Sequence, residues 1–170
     1  ALHLFVVNTF VRYIGTDLTD PPPAPPSVSQ SVESSSSLAT WEGGISLLSA
    51  QIPDSVASGQ PLTVHVVWTT SRPINRPYTI FVHLYDPSGN LVTQRDTMPV
   101  EGNWSTVCWR PGRSFDDGYT MVVPDSSPAG TYRVRLGLYW LPSGERLPLS
   151  GQDVTIVDLG AVRVTGTGEN

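Results

Sequence analysis

Lysine is absent from this chain of 170 residues; all ten of its cationic side chains are arginine. No basic run occurs and the net charge is −5, which excludes the electrostatic footprint of a nucleic-acid-binding protein. Charged residues make up only 15%, so the surface rests on Ser, Thr, Pro, Gln and Gly. The single cysteine, Cys108, excludes an internal disulfide and leaves the redox compartment open. No window carries a helical period, and no apolar run approaches the roughly 20 residues that a membrane-spanning helix needs. Nucleophile signatures are missing as well. Ser114, Ser126, Ser127 and Ser143 sit in turn-like sequence, none within Gly-x-Ser-x-Gly, and no Ser–His–Asp order suggests a hydrolase.

What the chain has in abundance is short alternating strands between turn formers. Residues 78–85 are the clearest: Tyr78, Ile80, Val82 and Leu84 fall on one face, and Thr79, Phe81, His83 and Tyr85 on the other. Asp86, Pro87, Ser88, Gly89 and Asn90 make a turn, and residues 91–96 return as the second arm of a β-hairpin. Residues 131–141 repeat the pattern, with Tyr132, Val134, Leu136, Leu138 and Trp140 opposite Arg133, Arg135, Gly137 and Tyr139. Further strands are expected at 45–52, 62–70, 103–109, 119–123 and 146–149. The stretch 154–164 is expected as two short strands broken near Asp158 and Gly160. About eight strands, with turns at intervals of about ten residues, predict an all-β fold. The form expected is an immunoglobulin-like antiparallel β-sandwich over residues 41–165, with 166–170 as a tail. Val82, Leu84, Val134, Leu136 and Leu138 should share one core.

Ahead of the sandwich, residues 15–40 read as a linker. Six residues from Pro21 to Pro26 hold five prolines and favour polyproline II, and the Ser-rich stretch that follows should be soft. Residues 1–14 are apolar except for His3, Asn8, Thr9 and Arg12. They fit the tail of a membrane span, a β-strand that adds to a sheet edge, or a buried helix. Their apolar content is too high for a free tail, so burial against lipid or another subunit is expected. The first residue is Ala, which suggests a processed product or a fragment.

His65 and His83 point outward on strands that could be neighbours, with Asp96 on the hairpin partner. Such a cluster could bind a metal or serve as acid and base. The plainer account is that His83 and Asp96 bond to each other within the hairpin. Asp96, Glu101, Asp116 and Asp117 could gather around calcium, which takes about six to eight oxygen ligands, but no compact loop motif supports it. Cys108 reads as a small buried thiol. No metal, cofactor or catalytic residue is therefore assigned. Aromatics are the better lead, because Phe81, Tyr85, Trp104, Trp109, Tyr139 and Trp140 cannot all be core. Flat rings beside Asn, Gln, Asp and Arg suit sugar, which presents apolar faces and hydroxyl edges. The binding residues expected are Phe81, His83, Tyr85, Asp96, Trp104, Trp109 and Tyr139; the competing account is that a loop or second layer covers the rings. Asn103-Trp104-Ser105 fits the N-glycosylation pattern.

Several phrases are more specific than pattern: Phe81-Val82-His83-Leu84, Gln94-Arg95-Asp96, Gly102-Asn103-Trp104, Trp109-Arg110-Pro111-Gly112, Asp117-Gly118-Tyr119, Ala129-Gly130-Thr131-Tyr132-Arg133, Gly137-Leu138-Tyr139 and Gly144-Glu145-Arg146-Leu147. In this order they resemble a β-sandwich domain that follows the last membrane span of bacterial multi-pass glycosyltransferases of the protein mannosyltransferase class. The resemblance covers about residues 45–164. It implies that residues 1–14 end the last span and that the sandwich lies outside the cytoplasm, at the membrane or cell surface. The family's catalytic acidic residues lie upstream, so none is carried over. The expected function is a non-catalytic extracytoplasmic accessory or binding module, tethered to a membrane protein and contacting glycan. The alternative is a structural subunit of a cell-surface or membrane assembly, a filament included, docked through residues 1–14.

Overall fold

The computed structural model describes residues 37–166. The expectations for residues 1–14, for the linker as far as residue 36 and for the tail from 167 lie outside them. Among the described residues, ten strands form two sheets. The four-stranded sheet runs β1 (Ala39–Thr40), β2 (Ile45–Gln51), β4 (Pro61–Thr70), β7 (Ser114–Val122). The larger sheet runs β3 (Ser55–Ala57), β10 (Ile156–Thr165), β8 (Gly130–Trp140), β5 (Tyr78–Tyr85), β6 (Leu91–Thr97), with β9 (Glu145–Arg146) against the end of β8. All pairings are antiparallel except β3 with β10. The fold is the all-β sandwich that the alternation predicts. No helix among the described residues is long and apolar enough to cross a membrane.

The core lies between the sheets, where the period of two puts alternate residues. Val64, Val66 and Trp68 of β4 face Ile80, Val82 and Leu84 of β5 and Val134, Leu136 and Leu138 of β8 in one buried cluster. Register explains it: Val82 lies opposite Leu136, and Leu84 opposite Val134, so the apolar rows of β5 and β8 share a face.

Several boundaries differ from expectation, each for a local reason. Residues 103–109 are not a strand. They contain a single 3-10 turn, Thr106–Cys108, whose buried Thr106 hydroxyl donates to the Arg76 carbonyl (2.8 Å) and accepts from the Tyr78 N–H (2.9 Å). Side-chain bonds thus anchor a loop where β-propensity favoured a strand. β7 begins at Ser114 and not at Tyr119, because β4 offers a partner to every residue as far as Thr69. The strand expected at 146–149 shortens to Glu145–Arg146, while Leu147 and Leu149 turn into the core. The two pieces expected at 154–164 are one strand with a bulge at Asp158–Gly160, where Asp158 Oδ1 accepts the Gly160 N–H at 3.0 Å. A short strand, β3, occupies the connection expected at 53–60. The sheet also starts inside the expected linker, since Ala39 pairs with Leu47 and Thr40 with Ser46.

Candidate functional site

Strand β5 lies in the middle of the larger sheet, between β6 and β8, and it is buried on both faces. Its inner row belongs to the core. Its outer row is Thr79, Phe81, His83 and Tyr85, and the first three of these are buried too. The neighbours in register explain the cover. Thr79 lies opposite Tyr139, and Tyr139 opposite Arg146; Phe81 lies between Asp96 and Gly137; His83 lies between Gln94 and Arg135. Gly137 leaves a slot into which Phe81 folds. A Cβ there would collide with the Phe81 ring and stand 2.6 Å from the Thr155 carbonyl oxygen.

The outer rings form a line. Phe81 is 4.6 Å from His83 and 6.2 Å from Tyr139 by ring centroids, and His83 is 6.1 Å from Tyr85. Two guanidinium groups lie on this line, Arg146 over Phe81 and Arg135 over Tyr85, each 4.8 Å from the ring centroid. His83 Nδ1 is 3.3 Å from the Tyr85 hydroxyl, and Nε2 is 3.3 Å from Asp96 Oδ1 without the alignment of a hydrogen bond. Burial, and after it the neighbouring Asp96 carboxylate, pushes the Tyr139 hydroxyl above the ordinary tyrosine range. Beside the line, Asp158 takes two bonds from Arg133, 2.9 and 3.0 Å long.

This arrangement brings together Phe81, His83, Tyr85, Asp96 and Tyr139 of the seven residues expected to bind ligand. It also changes their chemistry. Phe81 is only 1% exposed and carries Arg146 on its ring, so it is no open stacking surface. Tyr85 and Tyr139 remain half-buried, and Gln94 and Asp96 are exposed at the edge. The face therefore offers planar cations, two phenols and polar edges in place of bare rings. Arg135 and Arg146 were missed by sequence reasoning. The alternation of Arg133 and Arg135 with the apolar row of β8 was the available signal for the first; Arg146 had none, since its place follows from the β8–β9 turn.

Trp104 and Trp109 lie elsewhere. Trp109 is in the core, 5.9 Å from Trp68 and 4.6 Å from Phe115. Trp104 packs edge-on against Phe115 at 4.7 Å. His65 stands on β4 in the four-stranded sheet, so it cannot join His83 on β5 in the other. Among the described residues no group of three His, Cys, Asp or Glu could hold a metal ion. Of the four acidic residues considered for calcium, Asp117 lies close to Glu101, but no three gather. Asp117 turns inward from β7, accepts the Tyr119 hydroxyl at 2.6 Å and takes the Val100 and Gly118 N–H groups. It thereby holds a turn in which Val100 (φ 54°) and Glu101 (φ 52°) adopt left-handed backbone, a costly state for a β-branched residue. Burial raises the Asp117 pKa above the usual carboxylate range, and these bonds only partly offset it. Ser114 and Ser127 are buried, Ser126 and Ser143 are exposed, and Cys108 is half-buried.

Fold and face together define a β-sandwich module with a polar, aromatic outer sheet surface. No protein-family model and no curated protein matches the sequence. Among solved structures, a similar fold is found in one case and looser likeness in others. The C-terminal domain of Wzt aligns over 86% of this chain and 83% of its own, with 13% identity and a TM-score of 0.50. The CARDB domain of a Pyrococcus furiosus protein, solved with di-metal ions, aligns over 72% of this chain and 92% of its own at 14% identity and a TM-score of 0.41. A family 123 glycoside hydrolase from Clostridium perfringens aligns over 66% of this chain and 23% of its own, at 9% identity and a TM-score of 0.41.

Proposed function

We propose that this chain is a non-catalytic binding module, that its ligand surface is the outer face of the larger sheet, and that the ligand is glycan. The observation that carries the reading is the row of Tyr85, His83, Phe81 and Tyr139, held in register beside Gln94, Asp96, Arg135 and Arg146. This face concentrates rings and donors of the kind that recognise hydroxylated rings. The apolar segment 1–14 and the Pro/Ser-rich stretch after it support a tether to a membrane protein on the extracytoplasmic side. The order of short motifs, Phe81-Val82-His83-Leu84 to Gly144-Glu145-Arg146-Leu147, supports a glycosyltransferase as that protein. The test is a titration of the full chain with oligosaccharides, followed by two-dimensional NMR. Ligand-induced shifts should cluster on β5, β6, β8 and β9, and Tyr139→Ala should abolish them; shifts confined to the four-stranded sheet refute the reading.

A structural role in a surface assembly has its own support in an open cleft of about 490 Å³ beside β1, lined by Leu38, Ala39, Leu149, Val154 and Ile156. Leu38 and Val154 are 59% and 46% exposed there. Self-association that persists at low protein concentration and is lost on deleting residues 1–14 would favour this second reading.

A further inference from the structure

We infer that the saccharide recognised by the outer sheet face is acidic, a uronate-bearing glycan whose carboxylates are taken separately, one by Arg135 and one by Arg146. The inference rests on the reading of that face as a glycan surface and narrows its ligand. Its first ground is the charge of the face. Strand positions on it carry Arg133, Arg135, Arg146 and Arg163 against only Asp96 and Asp158, in a chain whose net charge is −5. Cations gathered against the sign of the whole molecule focus an anionic ligand.

The second ground is how those cations are held. Asp158 is committed to Arg133 by two short bonds and to the Gly160 N–H. Arg135 Nε stands 3.8 Å from the same carboxylate, beyond hydrogen-bond reach, and no carboxylate pairs with Arg146 among the described residues. Both groups are positioned by aromatic rings at 4.8 Å. A guanidinium held over a ring by its cationic centre keeps N–H donors for another partner. That geometry suits the two oxygens of a carboxylate, and little side-chain freedom is left to lose on binding.

The third ground is what lies alongside. The Gln94 amide, the Asp96 carboxylate and the Tyr139 ring stand at the rim of the same rows, where they can meet sugar hydroxyls. Between the arginines, His83 Nε2 is buried beside Asp96 with no aligned partner. A ring stack alone is ruled out at Phe81, because Arg146 occupies the ring. An apolar sugar face therefore meets a cation here, and a carboxylate on the sugar turns that contact from neutral to favourable.

The test is calorimetry on the full chain with oligogalacturonate, oligomannuronate and hyaluronan fragments, each also as its carboxyl-methylated ester. The acids should bind and the matching esters should bind about tenfold more weakly, the effect of losing one charge-assisted pair. Binding of the acid should weaken as salt rises. Arg135→Gln and Arg146→Gln should each lower affinity about tenfold, and Arg146→Lys should lose most of it, because the charge stays but the planar fork goes. Arg95→Gln removes the same charge from a position that pairs with Val82 on the opposite side of the sheet, and should change affinity less than about twofold. Far-ultraviolet circular dichroism checks that each variant is folded. Equal affinity for acid and ester, or an unchanged Arg146→Gln, overturns the acidic ligand but leaves the glycan face standing if Tyr139→Ala still abolishes binding. No binding of any acid or ester overturns the acidic ligand, and the oligosaccharide titration then decides the glycan face separately.

Discussion

Replacing Gly137 by alanine tests the physical basis of the outer face. Glycine in a strand interior normally weakens the strand, and alanine should add about 0.4–1 kcal/mol by restricting the unfolded chain. Space decides otherwise here. The new methyl would meet the Phe81 ring and the Thr155 carbonyl oxygen, the latter at 2.6 Å. The ring can rotate, but only by leaving its place under Arg146 and beside His83. Thr155 is backbone immediately before β10, so relief there means moving the start of a strand. Overpacking of this kind costs about 1–3 kcal/mol, which exceeds the entropic gain. Urea denaturation followed by tryptophan fluorescence should therefore give Gly137→Ala a lower midpoint at unchanged slope, a net loss of about 1–2 kcal/mol. A cycle with Phe81→Leu separates the two collisions: the ring's share should vanish in the double variant and the Thr155 share should remain. A Gly137→Ala protein as stable as the parent, or more so, would show that the slot is not tight and that Phe81 is not held by it.

Leu136→Ala should cost about 2–5 kcal/mol in the same assay, since Leu136 is fully buried between the sheets; a loss below about 1 kcal/mol would contradict the core described above. Thr106→Val should cost about 1–3 kcal/mol, because the Tyr78 N–H and Arg76 carbonyl lose their shared partner while the shape is kept; near-neutrality would mean that water replaces the hydroxyl. Asp117 makes stability depend on pH. Burial raises its folded pKa above that of the unfolded chain, about 3.8, so its favourable contribution is fully present below about pH 3.8 and is lost as pH rises through the folded value. The stability of wild type relative to Asp117→Asn should thus decline from pH 3 toward neutrality, and a rise over that range, read from urea midpoints, would show the carboxylate to be stabilised in its charged form.

Much of the architecture was legible in order along the chain, because a strand's faces are a local property. The period of two assigned Ile80, Val82 and Leu84 to one side of β5 and Phe81, His83 and Tyr85 to the other without any knowledge of neighbours. It also placed Arg133 and Arg135 opposite the apolar row of β8. What surrounds a face is not local. Which strand lies beside which depends on pairings between residues far apart in sequence, and these separated His65 from His83 and drew Trp109 into the core. Asp116, Asp117 and Gly118, which fell before the strand expected at 119–123, became strand because β4 was long enough to pair with them, and Asp117 was turned inward by parity alone. The outer rings were read correctly as lying off the core and incompletely as a platform. Only the register of Phe81 with Gly137, and of Tyr139 with Arg146, decided that one ring would sink into a slot and carry a guanidinium. The side-chain pattern of each strand is written in its own residues, and the chemistry of a sheet face is written in the neighbours that tertiary pairing supplies.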